Sequence, residues 1–173
     1  GVPAGAASTT TRINNGVMYT VFSPLWDNTA TGATNAGAVT IFSMNLTLTG
    51  TVGPSNSVVG SNANDRIGNN NGNSVLNPLS VSKLQPGGFY LTDPDFKNFL
   101  VLSQLWNGGR GAMTTVLVNG DTWTTANGTG TISAANSFIG TTADAGLVNG
   151  DRVGSKYGLW NDFYWVGVPT WNG

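Results

Sequence analysis

Val17-Met18-Tyr19-Thr20-Val21-Phe22-Ser23-Pro24-Leu25-Trp26-Asp27-Asn28 decides how the chain is read, because it recurs. The same phrase returns at Phe99-Leu100-Val101-Leu102-Ser103-Gln104-Leu105-Trp106-Asn107-Gly108. It returns again at Phe163-Tyr164-Trp165-Val166-Gly167-Val168-Pro169-Thr170-Trp171-Asn172-Gly173. Each copy is a short apolar run of β type, then Trp, then Asp or Asn in a turn. Self-similarity of this kind marks a repeat protein, and it governs every later step of the reading.

More landmarks follow in the same order. Ala36-Gly37-Ala38-Val39-Thr40 answers Arg110-Gly111-Ala112-Met113-Thr114, and Gly53-Pro54-Ser55-Asn56-Ser57 answers Ser133-Ala134-Ala135-Asn136-Ser137. Asp65-Arg66-Ile67-Gly68 answers Asp151-Arg152-Val153-Gly154. Trp26 to Trp106 and Asn56 to Asn136 are both steps of 80 residues, whereas Asp65 to Asp151 is 86 and Trp106 to Trp171 is 65. Fixed strands joined by loops of variable length give this pattern. The landmarks divide the chain into 1–13, which completes a partial repeat; 14–96, the first repeat with an Asn/Gly-rich loop and linker; 97–155, the second repeat; and 156–173, the start of a third.

Composition bounds the class. The chain has 173 residues, 39% hydrophobic and 9% charged, with six Trp, seven Phe and four Tyr. That aromatic content argues for an ordered core and against disorder. A net charge of −1 gives no electrostatic case for nucleic acid or anionic membrane. No apolar run reaches the length of a membrane span. All eight acids are Asp, and His, Cys and Glu are absent. The common general bases, the thiol nucleophile and the soft-metal ligands are therefore missing, so no enzyme activity, catalytic residue, metal site or cofactor is expected. A chain free of Cys, poor in Lys and rich in Gly, Asn and Thr is associated with bacterial extracellular repeat proteins. A start at Gly1 without Met fits a processed segment.

Local pattern predicts an all-β chain. Strands are expected at 17–22, 38–42, 45–52, 99–103, 112–118, 129–132 and 164–168, where β-branched and aromatic residues alternate between turn signals. Residues 61–74 read as an Asn/Gly loop, and Asn119-Gly120-Asp121 as a hairpin turn. The one helical candidate, 95–104, ranks below strand. Four strands are expected in each repeat: before the Trp, at Gly-Ala, around Leu46 or Val116, and near Val58 or Phe138. These units read as antiparallel and propeller-blade-like, with a β-solenoid or β-sandwich as the alternative.

The sentence Asp-Arg-Ile/Val-Gly, apolar strand, Ser-Pro-Leu-Trp-Asp-Asn, turn, Gly-Ala-Val-Thr resembles the repeats of large secreted bacterial haemagglutinin- or adhesin-like proteins. It is also similar to the integrin-type FG-GAP blade. The resemblance covers 14–68 and 97–173. It implies four-stranded β-propeller blades and an extracellular or cell-surface adhesive role. FG-GAP blades often carry an Asp-x-Asp-x-Asp-Gly cation loop. Here the corresponding Asp65-Arg66-Ile67-Gly68-Asn69-Asn70-Asn71-Gly72 holds one carboxylate, too few for calcium, so that site is not carried over.

Four groups of residues invite a functional reading and a plainer one. Trp26, Trp106 and Trp171 suit a glycan platform, but their shared register after a strand favours packing. Asp65-Arg66 and Asp151-Arg152 suit ligand contacts, but an ion pair or a carboxylate accepting turn amides is the better expectation. Asp93-Pro94-Asp95 is the one close acid pair, as a glycosidase would need, yet two acids flanking Pro ordinarily build a turn. Thr122-Trp123-Thr124 and Thr129-Gly130-Thr131 suit a flat glycan- or ice-facing strand, or simply solvent-facing strand positions.

The expected role is a non-enzymatic adhesion or structural module within a repetitive secreted bacterial surface protein. The alternative is a subunit of a self-assembling filament or sheath; a carbohydrate-active protein ranks third. Expected partners are copies or neighbouring repeats reached through terminal strands, with a glycan or cell-surface ligand as a further one. Reading from Gly173 into Gly1 restores a Trp-Asn-Gly…Gly-Ala…Thr-Thr phrase. Residues 5–10 are therefore expected to pair with the strand at 164–168, in the same chain or in a neighbour.

Overall fold

The computed structural model describes residues 8–9, 12–13, 16–43, 50–69, 73–76, 98–119, 122–125, 128–144, 150–160, 163–169 and 171. Among these residues twelve strands run in chain order: β1 (Ser8–Thr9), β2 (Arg12–Ile13), β3 (Gly16–Ser23), β4 (Ala38–Ser43), β5 (Val58–Val59), β6 (Asn73–Leu76), β7 (Asn98–Ser103), β8 (Ala112–Asn119), β9 (Thr122–Thr125), β10 (Ser137–Ile139), β11 (Lys156–Trp160) and β12 (Phe163–Gly167). The protein is all-β, and every strand pair is antiparallel. Beside the strands, the described residues hold a single helical turn, Trp106–Gly109, interrupted by positive φ at Asn107 and Gly108.

The repeats become sheets of one design. In the first, β1 and β2 share one edge of β3, followed by β4 and β5. In the second the order is β6-β7-β8-β10, with β9 also on the outer edge of β8. In the third, the described residues form the hairpin β11–β12. Four strands per complete unit hold, but their identity differs from the expectation in one place. Val116 lies within β8, as a continuation of the Gly-Ala strand. The fourth strand is instead the leading one: β1 with β2, β6, then β11. Residues 45–49 lie outside the described residues, as do Asp93-Pro94-Asp95. Asn119 stands opposite Thr122, leaving two residues for the turn expected there.

Ser8–Thr9 pair with Val21 and Thr20 of β3, not with 164–168 as expected within the chain. The reason is local: β3 follows β2 directly and offers an edge a few residues away, which costs little loop entropy to reach. Residues 129–132 also differ from expectation. They form no sheet strand; Thr131 makes a parallel bridge to Val59 of the first unit. Val59 N–H donates to Gly130 O at 2.9 Å and Ile132 N–H to Val59 O at 3.2 Å, so this stretch clasps two units together.

The core lies between sheets. Phe22, Val39, Ile41, Val58 and Ile67 of the first unit pack with Val101, Trp106, Ala112, Val116 and Ile132 of the second. Leu100 and Leu102, whose side chains alternate with that of Val101, pack with Met113 and with Tyr157 and Val166 of the third. The second sheet is thus buried on both faces. That explains why Phe99-Leu100-Val101-Leu102 is a continuous apolar run and not an alternating one.

Glycine fixes the spacing of the unit. Gly37 and Gly111 both have φ +76, and a Cβ at either would overlap the backbone of Ile67 or Val153. The chain after the Asp-Arg landmark lies directly on the loop that enters the Gly-Ala strand. Ile67 N–H donates to Ala36 O at 3.0 Å, and Val153 N–H to Arg110 O at 3.1 Å.

Candidate functional site

The Asp-Arg landmarks define a site at the junction between repeats. Asp65 is fully buried. Its Oδ2 accepts the backbone N–H of Ser61 at 2.9 Å and of Asn62 at 2.8 Å, closing the turn that follows β5. Its Oδ1 accepts the N–H of Asn107, in the next repeat, at 2.7 Å. The indole Nε1 of Trp106 donates to Ser61 Oγ at 3.3 Å beside it. A carboxylate with two oxygens can satisfy its own turn and hold the neighbouring unit at the same time. Of the two plain readings of Asp65, the acceptor of turn amides is the one seen.

Local sequence builds this socket. Asn64 and Arg66 flank Asp65 in left-handed backbone, with φ 63 and 48. Arg66 N–H donates to Asn35 O at 3.1 Å and so anchors the turn from the other side. Gly60 before the turn leaves no room for a Cβ against Ala36 O.

The second copy repeats half of the arrangement. Asp151 is fully buried. Its Oδ2 accepts the N–H of Thr141 at 2.6 Å and of Thr142 at 2.9 Å, with the Thr141 hydroxyl at 3.2 Å. Arg152 is left-handed at φ 50, and its N–H donates to Gly109 O at 2.9 Å. Asp151 Oδ1, however, is buried with no hydrogen-bond donor among the described residues. It is the oxygen that, at Asp65, receives the next repeat.

The two carboxyls are displaced in opposite directions. Burial pushes the Asp65 carboxyl above its ordinary value of 3.8, against the pull of donors from Asn62, Asn107 and Ser61. At Asp151 burial also works upward, but the donors of Thr142 and Thr141 outweigh it, and the carboxyl lies below 3.8.

The three repeat tryptophans do not occupy equivalent surroundings. Trp106 is 5% exposed and part of the core, Trp26 is half-buried, and Trp171 is 67% exposed. Register is shared, but burial is not. Thr122-Trp123-Thr124 form most of β9 on the edge of β8, and Gly130 and Thr131 belong to the clasp onto Val59. Among the described residues no group of three or more His, Cys, Asp or Glu comes together. Among them, too, no helix is long and apolar enough to cross a membrane.

Sequence reasoning found both aspartates but not their partner across the junction. A signal was present: a Gly followed by two small polar residues precedes each, Gly60-Ser61-Asn62 and Gly140-Thr141-Thr142. Those residues supply the amides that Oδ2 takes, which leaves Oδ1 over for a neighbour.

Comparison with curated proteins and with solved structures gives no match. A family model described as "Repeat of unknown function (DUF5650)" matches residues 13–69 and 96–155. The two matched stretches hold β3 to β5 and β7 to β10 with both sockets, and together they span more than half of the chain. The protein belongs to this family of repeats of unknown function (DUF5650).

Proposed function

We propose that the chain is a non-enzymatic extracellular adhesion and structural module, a segment of a repetitive secreted bacterial surface protein. One observation carries this reading: the recurring polar residues are spent on holding units together. Asp65 joins two repeats through Asn107. Asn136 Oδ1 accepts Ser133 N–H and the Ser137 hydroxyl, while its Nδ2 donates to Thr129 O and Thr131 O, next to the clasp. Repeats of this kind present an extended surface whose length is set by unit number. Trp165, 52% exposed, and Trp171 offer aromatic surface for a glycan or cell-surface ligand.

Two measurements test the reading. Antibody against the chain should label intact, unpermeabilised producing cells, and beads coated with the purified chain should be retained on cells or on a glycan array. Labelling only after permeabilisation, with no bead retention on any surface, overturns it. A second reading, a subunit of a filament formed by strand pairing, is favoured by one feature: among the described residues β12 pairs with β11 alone.

A further inference from the structure

Asn107-Gly108 sits on the contact that joins the first two units and carries reactive chemistry of its own. A glycine after asparagine leaves its amide nitrogen uncrowded, so that nitrogen can attack the asparagine side chain. In the folded turn the attack is blocked. Asn107 has φ 49 and ψ 55, which points Gly108 N away from the Asn107 side chain. Ring closure needs rotation about the Asn107 Cα–C bond, one of the two soft torsions of a residue. Bonds on both sides hold that torsion. Asp65 Oδ1 takes Asn107 N–H at 2.7 Å from the first unit, and Gly108 O takes Asp144 N–H at 2.8 Å within the second. Asn107 is partly exposed and Gly108 is exposed, so water reaches the pair.

We propose that Asn107-Gly108 is a self-modification site: with the Asp65 contact open, Asn107 converts to isoaspartate, and the product keeps the junction open. Gly108 N bonds to Asn107 Cγ, the Cγ–Nδ2 bond breaks, and ammonia leaves with the proton of the attacking amide. Water then opens the cyclic imide. Addition at the Asn107 main-chain carbonyl leaves isoaspartate, with the chain running through Cγ; addition at Cγ leaves aspartate. Water is the one co-reactant, and nothing is oxidised or reduced. The two products differ at the junction. Asp27 holds the same register in the first unit, and its Oδ1 accepts Asn35 N–H at 2.8 Å, so an aspartate suits the turn. Isoaspartate inserts a methylene into the main chain. Leu105 O takes Gly109 N–H at 3.2 Å and Trp106 O takes Gly111 N–H at 3.1 Å, a loop too tight to absorb it without moving Asn107 N–H off Asp65. None of this chemistry depends on adhesion.

The test ages the full chain in neutral buffer. Peptide mapping by mass spectrometry reads conversion at each Asn-Gly pair, and enzymatic methylation of isoaspartate separates the two products. Asn119-Gly120, Asn127-Gly128 and Asn149-Gly150 in the same chain are internal references. Asp65→Asn, whose neutral amide is the weaker acceptor, should speed conversion at Asn107 by about threefold to tenfold while the reference pairs hold their rates. In sub-denaturing urea the parent chain should convert at Asn107 in step with exchange of the Val59 and Ile132 amides, both bonded across the junction. The isoaspartate product should lose protection at those two amides by about tenfold or more, and Asn107→Asp should retain it. An unchanged rate in Asp65→Asn, full protection in the isoaspartate product, or equal loss of protection in Asn107→Asp overturns the proposal. If Asp65→Asn fails to fold, the reference pairs accelerate together with Asn107, and the urea series decides: conversion that does not track the two amides overturns it equally.

Discussion

Trp106 shows how one residue type takes its energetic weight from its neighbours. Its ring lies in the core between two units and its N–H reaches Ser61 across the junction. Trp106→Ala is expected to cost about 3–5 kcal/mol, as for a buried aromatic truncation. Trp26 occupies the same register but is half-buried, so Trp26→Ala should cost about 1–2 kcal/mol, in proportion to the smaller area it covers. Urea melts of both variants check the difference; equal losses would show that register alone sets the role. Asp151 makes a second prediction. Its folded pKa lies below the ordinary 3.8, so the stability it contributes is present above that value and is lost as pH falls through the folded pKa. Asp65 runs the other way: with its folded pKa raised, its contribution declines as pH rises from about the ordinary value through the folded one. Asp151→Asn should therefore flatten the loss of stability on acidification below about pH 4, and Asp65→Asn should remove the gain that acidification brings above about pH 4, as pH falls from the raised folded pKa toward the ordinary value. Thermal melts across both ranges, each variant against the parent chain, give the answer.

At the level of the element, the turn preceding the last strand of each unit is the part best written into the sequence. Asn56 Oδ1 takes Gly53 N–H and the Ser57 hydroxyl, and Asn136 does the same with Ser133 and Ser137. Each Ser then meets a strand Thr, Thr40 with Ser57 at 2.6 Å and Thr114 with Ser137 at 2.7 Å. Asn136→Ala leaves several part-buried groups without this partner and is expected to cost about 1–3 kcal/mol. Asn136→Asp, which keeps the acceptor and loses both donations, should fall between alanine and the parent chain in a denaturant titration. The strands β3, β4, β7, β8 and β12 were legible because each is an apolar or β-branched run bounded by Pro, Gly or Asn. The leading strands were not. β6 begins at Asn73 inside an Asn/Gly stretch that reads as loop, and β11 is Lys156-Tyr157-Gly158-Leu159-Trp160, with a Gly in its middle. Their pairing comes from the strand that follows and not from their own propensity. The clasp at Thr131 was misread for a related reason: a Thr-x-Thr piece looks like strand whichever partner it finds. The aspartates were legible as landmarks, but the contact to Asn107 spans 42 positions, and nothing local marks it.

For the whole molecule, stacking makes stability a property of junctions. Among the described residues the second sheet is covered on both faces, the first has its partner on one, and the third is a two-stranded hairpin. Stacked repeats unfold from their ends, with each unit held chiefly by nearest neighbours. Amides of β7 and β8 should therefore exchange slowest, and those of β11 and β12 fastest, by on the order of 10- to 100-fold. Native-state hydrogen exchange read by mass spectrometry tests this. Uniform protection across all three units would mean that the chain behaves as one cooperative block.

The left-handed backbone at Arg66 has a consequence for how the protein meets proteases. Arg66 is exposed, yet Asp65 and Ile67 on either side are fully buried. Its φ of 48 and the bond from its N–H to Asn35 O hold the peptide out of the extended shape that a protease cleft grips as an added strand. Trypsin should therefore leave the bond after Arg66 intact until the whole unit opens. Cleavage there should rise in urea with the slope for opening of the first unit, and a fragment released early in native buffer would contradict it. For a chain with so few basic residues, this turns a surface arginine into a clock for unfolding.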